Sequence, residues 1–102
     1  MNTPLTPEYM ELTKRFFRAL DTLRERGEIR GVNTFVNRYN IESKSLRRSK
    51  DHVSRIKPDW LIFLCRDYGI STQWLLLGRG RMFRETNKYN HENATLHFRS
   101  DI

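Results

Sequence analysis

Residues 32–50, VNTFVNRYNIESKSLRRSK, leave this chain few ways to fold. Phe35, Val36 and Tyr39 recur at i, i+1 and i+4, which gathers them on one side of a helix and does not suit the two-residue alternation of a strand. Asn40 comes next, the residue type that after glycine best tolerates a left-handed backbone, and Ile41 follows it. The spacing predicts two short helices, about Val32 to Tyr39 and about Ser43 to Lys50, with a sharp turn between them. The second carries one apolar residue, Leu46, among Lys44, Arg47, Arg48 and Lys50. Such a segment offers a core one anchor and keeps the rest of its surface positive. It is poorly made for packing and well made for lying in a groove of negative potential.

The rest of the chain reads as helices placed around that pair. Thr6-Pro7-Glu8 has the form of a helix start: a hydroxyl cap, proline at the first helical position, and an acid beside the positive end of the helix dipole. Tyr9, Leu12, Phe16, Leu20 and Leu23 recur at three- and four-residue steps, Phe17 widens the stripe, and the helix ends before Gly27. Gly27 to Gly31 reads as a polar connection in which Gly31 caps the second helix, and DHVSRIK (51–57) as another. Pro58 holds residue 57 outside helical conformation and opens a fourth helix. Its inner face is expected to be Trp60, Leu61, Leu64, Cys65 and Tyr68, with Gly69 ending it. Ser71 caps a fifth, in which Trp74, Leu75 and Leu77 are expected to pack inward before Gly78 and Gly80 break the chain.

The expected fold is therefore all-α, five helices over residues 1–83 around one modest core, which a chain of 102 residues suffices to form. Residues 84–102 form a polar tail. Within it Ala94, Leu96 and Phe98 alternate with Thr95, His97 and Arg99, a short strand pattern that cannot bury one face unaided. Disorder and pairing, with a symmetry mate as the cheapest partner, both remain open for it.

Charge narrows the function. The chain holds 19 Lys and Arg against 12 Asp and Glu, a net charge of +7. The tail is balanced, whereas between Arg38 and Lys57 the bases Lys44, Arg47, Arg48, Lys50 and Arg55 face only Glu42 and Asp51. An excess concentrated on one short stretch is the footprint of a polyanion binder. Cys65 is the only cysteine, which excludes an intramolecular disulfide and any multi-cysteine metal site, and its apolar neighbours predict a small buried residue. No apolar run approaches a membrane span and no signal-peptide pattern opens the chain, so a cytoplasmic protein is expected. Catalysis is not expected: there is no carboxylate pair at an apolar cluster, and Gly78-Arg79-Gly80 lacks the strand and helix context of a phosphate loop. Neither a cofactor nor a metal is expected.

Over roughly residues 12 to 83 the chain resembles the helix-turn-helix domains of the lambda-repressor/Cro-like (XRE) regulators. Phe35-Val36 stands where that family has a Leu-Ala pair, and Asn40 stands at its turn glycine. Ile41 stands at the aliphatic that follows, and Leu46 at the anchor of the recognition helix. Downstream, RDYGISTQWLLLGRGRMF is similar to an ending of phage and mobile-element repressors in which a "YGVS" turn precedes "WLLTGEGxMF". Three positions depart from the pattern. Val32 replaces a glutamine that touches phosphate or base. Glu42 replaces a Ser or Thr cap, putting an acid beside DNA unless it caps the helix or reads a cytosine amino group. Ser49 replaces a second apolar anchor, which implies a loosely held third helix.

The resemblance implies a sequence-specific double-stranded DNA-binding regulator, a repressor acting as a homodimer on a palindromic operator, cytoplasmic and associated with a bacterial nucleoid. In that geometry the third helix enters the major groove by its N-terminal part while the second crosses the backbone. Ser43, Lys44, Arg47 and Arg48 then reach base edges. Lys44 and Arg47 are the favoured readers, while Arg48 and Lys50 hold mainly phosphate. Asn33 and Thr34 in the first turn of the second helix, with Arg38, Arg55 and Lys57 flanking the motif, are the further phosphate contacts. Dimerisation is expected through Trp74, Met82 and Phe83, with Leu96 and Phe98 of the tail contributing. Two other readings stay open. One is an antitoxin-like module that binds a protein partner through the tail and its own promoter through the basic helix. The other is an RNA-binding domain, against which Phe16, Phe35, Trp60 and Trp74 fall on apolar faces, away from any base-stacking platform.

Overall fold

Thr6 Oγ1 accepts the Tyr9 N–H at 3.1 Å and Pro7 takes the first helical position, and from that start α1 runs over Pro7–Glu25. The computed structural model describes residues 5–51 and 55–84. After α1 come α2 (Val32–Arg38), α3 (Ser43–Lys50), α4 (Pro58–Tyr68) and α5 (Thr72–Leu77), so the architecture is all-α. Among the described residues the only β feature is one antiparallel bridge, Ile70 to Phe83. No described helix is long and apolar enough to cross a membrane.

α1 is the hub, packing against α5, α3 and α4. Its stripe puts Phe16, Ala19, Leu20 and Leu23 out of solvent, and Phe16 meets Phe17 edge-on at 5.0 Å and both Phe35 and Trp60 at 6.1 Å. Removing a ring at such a centre costs about 3–5 kcal/mol. The helix ends are set as the sequence spacing implies. Gly69 and Gly78 end α4 and α5 in the left-handed region, with φ of 74° and 73°. Ser71 Oγ accepts the Trp74 N–H at 3.3 Å. The turn after α2 has Asn40 at φ 55°, and the Ile41 N–H donates to the Val36 carbonyl at 2.9 Å.

Several expectations are corrected. Leu77 does not pack inward: it is 62% exposed and its neighbour Leu76 49%, because α5 is only long enough to turn Trp74 and Leu75 into the core. Cys65 is half-buried on a partly covered side of α4. The two connections read as polar each bury an isoleucine, Ile29 and Ile56, both 3% exposed. α3 is not loosely held. Ser49 is fully buried, and its hydroxyl lies 3.1 Å from the Ser45 carbonyl and 3.2 Å from that of Arg55, so a polar anchor stands where an apolar one was missing.

Contacts distant in sequence complete the body. Arg15 reaches from α1 to the open end of α5, donating from Nε to the Leu75 carbonyl at 2.8 Å and from Nη2 to that of Leu76 at 3.0 Å. Tyr9 donates from Oη to the Ile56 carbonyl at 2.8 Å. The Ser71 N–H bonds the Met82 carbonyl and the Arg84 N–H the Gly69 carbonyl, each at 2.8 Å, which fastens residues 82–84 along the α4–α5 junction.

Candidate nucleic-acid interface

α3 is fixed along one side and free along the other. Leu46 (3% exposed) and Ser49 (0%) are three residues apart and so share the side turned to the core. Ser43, Lys44, Arg47, Arg48 and Lys50 are all exposed. Lys44, Arg47 and Arg48 share one face through steps of three and four. Among the described residues none of the four cations of α3 forms an ion pair; the acids that are paired hold Lys14, Arg26, Arg38 and Arg66 instead. Glu42 does not cap α3: its Oε1 accepts the Ser45 hydroxyl at 2.8 Å, which keeps the acid at the foot of the helix and off the face of Arg47 and Arg48.

The structure brings together some of the sequence-derived contact residues and separates others. Asn33, Ser43, Arg47 and Lys50 rim a shallow cleft of about 280 Å³ between α1, α2 and α3, floored by Leu20, Val36 and Leu46. Val32 is in that cleft wall, 41% exposed. Lys50 leans toward α1, its Nζ 5.9 Å from the Phe17 ring centre, at the outer limit of a cation–π contact. Thr34 is half-buried and its Oγ1 accepts the Arg30 N–H at 3.2 Å. Arg55 follows the end of α3 with its guanidinium 4.8 Å from the Tyr9 ring. Lys57 is exposed ahead of α4.

Arg38 is drawn toward α4. Its Nη1 donates to Tyr68 Oη at 3.3 Å and its Nη2 lies 4.0 Å from Asp67. Asp67 is the centre of a small network: Arg66 forks onto it with two bonds of 2.9 Å and Tyr39 Oη donates to it at 2.5 Å. Arg66 is the main cause that holds the Asp67 carboxyl down to about 2, helped by the Tyr39 hydroxyl and the Arg38 charge and opposed by burial. Burial, and then the bond to Asp67, push the Tyr39 hydroxyl well above its ordinary value. Tyr39 stacks flat on Phe63 at 4.0 Å, which locks the end of α2 to α4.

Of the residues expected at a dimer surface, Trp74 is 8% exposed and turned into the core. Met82 and Phe83 are half-buried against it, with the Arg26 guanidinium 3.9 Å over the Phe83 ring. Leu96 and Phe98 lie outside the described residues. Two residues escaped the sequence reading. Arg30 is exposed and shares a shallow depression with Asn33 and Asn37, placing one more cation beside α2. Asp67 gathers Arg66 and Tyr39, with Arg38 4.0 Å away, and the only sign of it in the sequence was an acid next to Arg66. No group of three or more His, Cys, Asp or Glu side chains able to hold a metal occurs among the described residues.

No family model, no curated protein and no solved structure matches the chain. The geometry of this face therefore carries the functional reading.

Proposed function

We propose that the chain is a sequence-specific double-stranded DNA-binding regulator of the helix-turn-helix kind, with α3 as the helix that enters the major groove and the lambda-repressor-like domain as its architecture. One observation carries this reading: of α3 only Leu46 and Ser49 are buried, while its exposed cations are left without acidic partners among the described residues. A helix turned outward in this way has side chains of the length and charge that read guanine edges. Lys44 and Arg47 are the base readers, with Ser43 and Arg48 beside them. Lys50, Asn33, Thr34, Arg55 and Lys57 hold backbone phosphates, and Arg38 does so from beside Tyr68. A single short helix discriminates few bases, so the reading includes a homodimer on a palindrome, and repression follows from occupying such a site.

The test is selection of bound duplexes from a random pool, followed by affinity measurements across salt. A symmetric consensus with half-sites about one helical turn apart is expected, together with a steep fall of affinity with salt. Enrichment of no sequence, or equal binding to single-stranded RNA of matched length, overturns the proposal.

A further inference from the structure

We propose that the apolar groove between α4 and α5 is covered by the chain's own segment Ala94–Phe98, folded back within the same molecule. The groove, of about 510 Å³, is formed by Leu61, Ile62 and Cys65 of α4 and by Leu75 and Leu76 of α5, with Arg84 at its edge. Ile62 is 52% exposed and Leu76 49%, and contiguous apolar surface of this kind marks a place where something docks.

Three features select the occupant. First, the described chain ends at the groove itself: Phe83 is bridged to Ile70, the Arg84 N–H is bound to the Gly69 carbonyl, and Arg84 lines the edge. Residue 85 therefore starts there. Second, the nine polar residues from Glu85 to Asn93 span up to about 30 Å when extended, whereas α4 is only about 16 Å long, so every part of the groove is within reach. Third, Ala94, Leu96 and Phe98 would fall on one side of the segment if it were extended, and Glu92 precedes them as a partner for Arg84 at the rim. Concentration decides between this segment and a second copy. A short flexible tether supplies an effective concentration on the order of millimolar, far above the micromolar level at which a second copy competes. A segment with free affinity on the order of 0.1 mM is then seated about ten times out of eleven. The inference stands independently of the DNA-binding reading.

Cys65, the only cysteine, lines the groove and reports its cover. The alkylation rate of its thiol by iodoacetamide is measured at one pH in the full chain and in a full-length Leu96→Asp/Phe98→Asp variant, with helicity checked by circular dichroism. The variant is expected to react about tenfold faster with its helices intact. The full-length Thr95→Asp/His97→Asp control, with the same charge on the other side of the segment, keeps the slow rate. The slow rate of the native chain does not change with protein concentration. Equal rates in the native chain and the Leu96/Phe98 variant overturn the proposal. So does equal acceleration in the control, or protection that grows with protein concentration, which assigns the groove to a second copy.

Discussion

On the proposed reading, replacing Arg47 with alanine separates a base reader from a general cation. Arg47 is exposed on α3 and has no ion-pair partner among the described residues, and alanine is the better helix former. The folded state should therefore keep its stability within about 0.5 kcal/mol. If the guanidinium forks onto the O6 and N7 of one guanine, the selected operator loses about 1–3 kcal/mol, roughly a 5- to 150-fold rise in Kd. That loss should be confined to one symmetric position: the variant should bind all four bases there about equally while keeping its preference elsewhere. Lys57→Ala is the comparison. It should weaken all duplexes alike and lower the salt slope by about one. Fluorescence anisotropy on a panel of single-base operator variants at three salt concentrations reads both effects. If Arg47→Ala weakened all sequences uniformly and lowered the slope as Lys57→Ala does, the division of α3 into reading and holding cations would be wrong.

Four further outcomes concern how that helix and its neighbours are held. Ser49→Ala should cost about 0.5–1.5 kcal/mol in urea unfolding, because the part-buried Ser45 and Arg55 carbonyls lose the hydroxyl they share; no loss would mean that the hydroxyl does not fasten α3. Asn40→Val should cost about 1–2 kcal/mol while Asn40→Gly stays within about 1, since a branched side chain resists φ 55° and glycine does not; equal effects would refute a strained turn. Arg15→Met should destabilise by about 1–3 kcal/mol by uncovering the last carbonyls of α5, followed through the fluorescence of Trp60 and Trp74, and an unchanged transition would show those bonds to be worth nothing net. Asp67 has a carboxyl pKa depressed to about 2, so its contribution is complete above the ordinary carboxylate value near 4 and is lost as pH falls toward 2. The stability gap between the native chain and Asp67→Asn should be flat from about pH 7 to 5 and close below about 4; a gap that widens in acid contradicts the sign.

Helix positions were legible because their stops are local chemistry. Pro7 and Pro58, the caps at Thr6 and Ser71, and the left-handed positions Asn40, Gly69 and Gly78 set boundaries that depend on a few neighbouring residues. α2 ends one residue earlier than expected, with Tyr39 just beyond it. What sequence periodicity could not show is what fills a core from outside the helices. Ile29 and Ile56 sit in short connections where no period exists to expose them, yet both are buried. Nor does periodicity predict a polar anchor. Ser49 reads as a weak position until the Arg55 carbonyl, from beyond the end of α3, is seen beside it. For the candidate interface, the exposed cations of α3 were readable from charge and spacing. The turn of Arg38 toward Asp67, and of Lys50 toward Phe17, depend on where α4 and α1 lie.

That only Leu46 and Ser49 of α3 are buried has a consequence for the proposed DNA-binding reading. Positions 44, 47 and 48 are exposed, whereas positions 46 and 49 are buried. On the proposed DNA-binding reading, change at the first set would retarget the molecule without repacking the core. On that reading, a laboratory library restricted to those three codons should yield new specificities from uniformly folded members.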